Sequence, residues 1–209
     1  MTMPARRRSA KSDSARHRQS TNTAEKLVEA ALAEFNARGF GGTDTNKIAR
    51  RAGFAPQTFY RWFPDKTAIF LAAYRRWENQ EMNAIQSLRG TKSAAKRIVG
   101  AIVAHHRAHL GFRRSLRLLA YENNAVRKAR AESRRRQLAQ LRTWMGTGGP
   151  GDGEAILILL QMERLSDAIA ESEIDDLGID HTTATKELLK LVMRLESRRS
   201  RKRSSTRLT

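Results

Sequence analysis

The sequence predicts an all-α protein, and three observations carry that expectation. Apolar residues recur at three- and four-residue spacing along most of the 209 residues, strand-type alternation is scarce, and runs of β-branched residues are absent. Breaks at Gly53, Gly90-Thr91, Gly111, Gly146 to Gly153 and Gly178 divide the periodic stretches into about nine helices. A chain of this length can hold a small N-terminal domain and a second helical domain with its own core.

The first twenty residues carry Arg6, Arg7, Arg8, Lys11, Arg16 and Arg18 against Asp13, are serine-rich and hold few apolar groups. They are expected to form a flexible basic arm, because so little surface can be buried to offset ordering. Ordered structure is expected from about Thr21. Asn22 and Glu25 stand at capping-box spacing, and Leu27, Ala31 and Phe35 make an inward row with Val28 and Leu32 beside it.

Two short helices joined by a tight turn follow between Thr43 and Lys66. Thr43 is placed to cap the first, with Ile48, Ala49 and Ala52 facing inward, and Gly53 supplies the left-handed residue that ends it. Pro56 suits the first position of the second helix, where its missing N–H leaves no bond unmade. Phe59 and Phe63 mark that helix's buried side. At about 100° per residue the opposite face carries Gln57 and Arg61 with Thr58 beside them, and Tyr60 and Trp62 on the flanks.

These outward residues have the chemistry of DNA readers. Glutamine pairs bidentately with adenine, arginine with guanine, and threonine bonds a base edge or rests its methyl on that of thymine. A tyrosine hydroxyl and a lysine ammonium suit phosphate oxygens, which position a protein without reading sequence. A helical hairpin with a solvated polar face is the plainer reading of the same pattern.

Gly39-Phe40, Thr43, Ile48-Ala49, Ala52-Gly53, Thr58, Tyr60, Phe63 and Lys66 fall in the order and spacing of the tetracycline-repressor (TetR) family, which the chain resembles. A weaker likeness runs through the arginine-rich stretch from Glu122 to Leu141. The resemblance implies a helix-turn-helix DNA-binding domain of three helices over residues 21–66, a helical effector-binding and dimerisation domain over 67–196, and a basic tail over 197–209. It implies that Thr43, Tyr60 and Lys66 touch phosphates, that Gln57, Thr58 and Arg61 approach base edges, and that Thr45 and Pro56 complete the DNA-facing set. It further implies a homodimeric repressor that binds a palindromic operator in double-stranded DNA and is released by a small-molecule effector. No chemical step and no cofactor are called for. Two positions depart from the family pattern: Ala55 stands where a hydroxyl usually caps the second helix, and Gln57 where glycine is frequent.

Asp65 is placed to cap a fourth helix running to about Leu88, with Ile69, Ala72, Ala73 and Trp77 inward, a candidate lever between the two domains. Near the C-terminus, Ile158, Met162, Leu165 and Ile169, and then Leu188, Leu191, Val192 and Leu195, form apolar seams on helices around 154–172 and 180–196. Such seams pack either into their own monomer or against a second copy, and the resemblance favours the dimer.

The region between is quieter. His105, His106 and His109 cluster without a carboxylate or cysteine nearby in the sequence to complete a metal site, so a solvated or hydrogen-bonded face is expected. Arg113, Arg114 and Arg117 suit an anionic effector, while Arg127 to Arg136 continues as a solvated face. Leu88, Ile98, Ile102, Phe112, Leu116, Leu119, Tyr121, Trp144 and Met145 read as core or as cavity lining, and the effector residues stay unassigned. The glycine-rich Met145 to Glu154 lacks the strand and the Gly-Lys-Ser/Thr element of a phosphate cradle and reads as a linker. Glu163, Asp167, Glu171, Glu173, Asp175 and Asp176 are expected on the surface.

Composition points the same way as the motif. The formal net charge of +19, more than half of it in the first twenty residues and the tail after Glu196, suits a polyanion. It also suits a basic DNA-coating or scaffolding protein without effector control, the alternative reading. The absence of cysteine fits a reducing compartment. The N-terminus lacks an apolar signal core and the longest apolar run, Ala155 to Leu160, is far short of a span of ~20 residues, so a cytoplasmic location without membrane contact is expected.

Overall fold

A computed structural model of the chain describes the backbone of residues 6–145 and 151–205, and side chains over 22–143 and 151–193. Among the described residues there are nine α-helices and one short 3-10 turn: α1 (Arg6–Arg38), α2 (Thr45–Arg51), α3 (Pro56–Tyr60), α4 (Lys66–Leu88), α5 (Ala94–Ala108), α6 (Leu110–Glu122), α7 (Asn124–Met145), α8 (Asp152–Ala170), the turn Asp175–Leu177, and α9 (His181–Ser205). No strand occurs among them, as the periodicity predicts. The chain forms two compact units, Met1–Trp77 and Glu78–Thr209.

In the first unit Leu27, Ala31 and Phe35 from α1, Ile48 and Ala49 from α2, Phe59 from α3, and Ile69, Phe70 and Ala73 from α4 are all fully buried. Phe35, Phe40 and Phe70 pack as an aromatic triad, with ring centroids 5.0 to 5.7 Å apart. The helical backbone of α1 begins at Arg6 rather than near Thr21, so Asn22 lies inside the helix and caps nothing. Nothing between Arg6 and Arg38 stops a helix, since that stretch contains neither glycine nor proline. The side chains of the basic arm lie outside the described residues.

The second unit is built on α5, α8 and α9. Ala95, Val99 and Val103 of α5 meet Ile169 of α8 and Ala184, Leu188 and Val192 of α9, with Met162 and Leu165 packed alongside. The two C-terminal seams are therefore largely spent inside their own protomer; the side chain of Leu195 lies outside the described residues. A different stripe of α8 is left open: Leu157 and Leu160 are 60% and 38% exposed and border an open groove of about 700 Å³ that continues along Gln161, Arg164 and Leu165 to Lys190 and Leu191 of α9. Positions 157, 160, 161 and 164 share one helical face.

Two other sequence expectations shift. Gly111 lies within α6, and the break falls two residues earlier at His109, whose N–H bonds the His106 carbonyl at 3.0 Å. Helix α9 continues to Ser205, past the end expected near 196. Gly90 and Gly178 do mark breaks, both with positive φ. The linker residues 146–150 and the side chains of Trp144 and Met145 lie outside the described residues, and no described helix is long and apolar enough to cross a membrane.

Candidate functional site

The turn between α2 and α3 is a Schellman motif centred on Gly53. The N–H of Phe54 bonds the carbonyl of Ala49 at 2.9 Å and that of Gly53 bonds Arg50 at 3.0 Å, closing the last turn of α2. Gly53 sits at φ +80°, where a side chain is strained. Pro56 opens α3 from an extended Ala55 that makes no side-chain cap, so the lost hydroxyl is a real difference. Asp44, and not Thr43, caps α2, accepting from the Lys47 N–H at 2.8 Å. Thr43 is buried and its hydroxyl donates to Glu34 Oε2 at 3.0 Å.

Helix α3 is a single short turn ending at Tyr60, with Arg61 as its C-cap and Phe63 half-buried beyond it. The stop is local: Pro64 disfavours the helical conformation for Phe63, the residue before it. Phe59 anchors the helix inside while Gln57, Tyr60, Arg61 and Trp62 are exposed and Thr58 and Pro56 half-exposed. Thr45 and Tyr60 join α2 to α3 through a 3.0 Å hydroxyl contact on the exposed side. Lys66 is more committed than the sequence suggests. Its ammonium donates to the carbonyls of Phe40 (2.9 Å) and Thr43 (3.1 Å) and lies over the Phe40 ring, leaving one of its three N–H groups for a phosphate. Asp65 caps α4 as expected, accepting from the Ala68 N–H at 2.7 Å.

The profile of bacterial regulatory proteins of the tetR family matches residues 27–73, which hold the end of α1, both helices of the turn and the start of α4. Over those residues the chain is similar to the TetR family. A relative, the uncharacterized HTH-type transcriptional regulator YdgC of Bacillus subtilis, is 30% identical over 83 residues, which make up 37% of this chain and 43% of the relative. The match thus spans less than half of that relative's length. Among solved structures, a Rhodococcus sp. protein assigned to the TetR family of transcriptional regulators superposes with a TM-score of 0.68 at 17% identity, covering 84% of this chain and 98% of its own. The regulator FadR of Bacillus subtilis, in complex with stearoyl-CoA, gives 0.54 at 18% identity, covering 80% and 96%. At such identities the likeness concerns the fold.

In the second unit the arginines and the central histidine singled out as effector or metal candidates are engaged with carboxylates. His106 is buried, with Nδ1 2.8 Å from Asp167 Oδ1 and Nε2 2.9 Å from Glu81 Oε1. Arg113, also buried, donates from Nε and Nη2 to the two oxygens of Asp167 at 3.0 and 2.7 Å. Arg117 reaches Asp167 and Glu171, Arg130 and Arg134 converge on Glu163, and Arg136 pairs with Glu78. The arginine-rich stretch is therefore partly an interior charge layer and not a solvated face. Asp167 likewise leaves the surface set. His109 Nδ1 lies 2.9 Å from the His105 carbonyl, and among the described residues no group of three histidine, cysteine or acidic side chains could hold a metal. Tyr121, at 88% exposure, is neither core nor cavity lining, whereas Ile98, Ile102, Phe112, Leu116 and Leu119 are core.

Asp167 and His106 favour each other's charged form. Burial pushes Asp167 up, but the bonds from His106 and Arg113 and the Arg113 charge outweigh it and hold it far below the usual carboxylate range. Burial pushes His106 down, and the Asp167 and Glu81 bonds reverse that and raise it. An imidazole bonded to a carboxylate at each nitrogen satisfies both only as the imidazolium.

Proposed function

We propose that the chain is a sequence-specific transcriptional regulator, most simply a homodimeric repressor that binds a palindromic operator through Gln57, Thr58 and Arg61 and is released by a small molecule. The carrying observation is the exposed Gln57 and Tyr60 on α3, with the exposed Arg61 at its C-cap, on a helix whose inner side is pinned by Phe59 and whose entry is fixed at Gly53. Tyr60, Thr45 and the remaining N–H of Lys66 suit phosphates, and Pro56 sets the approach of α3. Because its hydroxyl is spent on Glu34, Thr43 acts in this reading through its placement of the loop and not through a side-chain contact. Two copies joined along the Leu157 and Leu160 stripe supply two reading helices, as a palindrome requires. The stearoyl-CoA in FadR supports a small-molecule effector for the second unit here, with its residues unassigned. The chain passes from the first unit to the second within α4, which makes that helix the covalent route for such a signal.

Gln57→Ala tests the assignment. The substitution is expected to cost about 1–3 kcal/mol on the preferred duplex and to flatten base preference at one position, read by binding to a panel of single-base variants. An equal loss on preferred and random duplexes would make Gln57 a positioning residue. Indifference of the wild-type chain to sequence would favour the DNA-coating alternative that the charge of +19 allows.

A further inference from the structure

Glu34 is the one buried carboxyl side chain among the described residues of the first unit, 5% exposed. Its carboxylate is fully engaged. Oε2 accepts from the Thr43 hydroxyl at 3.0 Å and lies 3.3 Å from Arg38 Nε, and Oε1 accepts from Arg51 Nη1 at 3.0 Å. Burial pushes the carboxyl up, but the bonds from Arg51 and Thr43 and the charge of Arg38 outweigh it and hold it below the usual range.

The partners stand at informative places. Thr43 immediately precedes Asp44, the N-cap of α2, and Arg51 is the last residue of that helix. One carboxylate on α1 therefore holds α2 at both ends and fixes its rotation and axial position. Helix α3 inherits that placement through the Gly53 turn and the Thr45 to Tyr60 contact. A buried ion pair is weak evidence for stability, since apolar replacements of similar volume often fold as well or better. What such a group supplies instead is a defined arrangement. Glu34 also occupies the guanidinium of the half-exposed Arg51, a cation that would otherwise be available to any phosphate.

We infer that Glu34 is a positioning residue for DNA recognition: it sets the orientation of α2, and through it the reach of Gln57 and Arg61, and withholds Arg51 from non-specific contact. The inference rests on the proposed reading of this unit as a DNA reader. Its loss lowers binding to the preferred sequence while leaving or raising binding to random sequence.

The test uses the full chain and two duplexes, the best sequence that the wild-type protein selects from a random pool and a scrambled version of it. Glu34→Met, combined with Thr43→Val so that no hydroxyl is left unpaired, is expected to keep the wild-type helical signal and thermal midpoint. Titration of the binding-competent fraction is expected to show Kd for the selected duplex rising about tenfold, comparable to one misread base pair. Kd for the scrambled duplex stays level or falls, and the salt dependence does not weaken, because no phosphate contact is removed. Glu34→Gln, which retains an acceptor oxygen, is expected to fall between wild type and the double variant. An unchanged affinity ratio with unchanged stability would overturn the inference and leave the proposed function standing. Failure of the wild type to select any sequence would overturn both. If the double variant loses its helical signal, Arg51→Met, which changes only a half-exposed side chain, carries the test. A retained ratio between the two duplexes then overturns the inference, and a reduced one supports it.

Discussion

Asp167→Ala is expected to destabilise the second unit by about 3–5 kcal/mol, the cost of breaking a buried ion pair by removing one of its members. That is a large share of the roughly 5–15 kcal/mol that holds a domain together. The substitution removes both carboxylate hydrogen bonds of Arg113, only 3% exposed, leaving Glu163 at 3.5 Å as an ion-pair partner, and takes away one of the two carboxylates that bond His106. Chemical denaturation followed by helical signal reads it, and the companion Arg113→Met with Asp167→Leu is expected to recover most of the loss, because it removes both charges and keeps the volume. A double variant no better than Asp167→Ala would mean that the pair is valued for more than mutual neutralisation. The same groups set the pH response. Asp167, whose pKa is depressed, contributes stability that is complete above the unfolded value of about 4 and is lost as pH falls through its folded value. His106, whose pKa is raised, contributes stability complete below about 6.5 and lost as pH rises through its folded value.

The second large effect concerns assembly. Leu157→Glu with Leu160→Glu is expected to leave each protomer folded, since both side chains lie on an exposed face, where substitutions move stability by only about 0.5 kcal/mol. The expected result is a halved mass in sedimentation and a loss of roughly 10²–10⁴ in affinity for a two-half-site duplex, because the second half-site no longer binds intramolecularly. Affinity for a single half-site is expected to hold. A variant that sediments at the wild-type mass would contradict the proposed dimer contact along this stripe.

The turn between α2 and α3 was legible in the sequence because its determinants are local: Gly53 for the left-handed residue, Pro56 for the helix start, Phe59 for the buried side. Its end was misjudged at Phe63 although Pro64, next to it, carries the signal. The charge layer of the second unit was hidden for the opposite reason. His106 and Asp167 are 61 residues apart and Arg113 and Asp167 are 54 apart, so no window holds both partners. A usable trace did exist: Arg113 with Arg117, Arg130 with Arg134, and Glu163 with Asp167 and Glu171 each repeat at four residues, putting like charges on single helix faces that need an opposite face. The apolar seams of α8 and α9 show the limit of periodicity, which finds a buried face without saying whether its partner belongs to the same chain.

Sequence-selective binding to DNA is the claim on which the rest depends, and competition binding at physiological salt tests it most directly. With the full chain, DNA from upstream of its own gene is expected to compete at least ~10³ better than random duplex of equal length. Equal competition by the two would contradict the account and leave a basic protein that coats DNA.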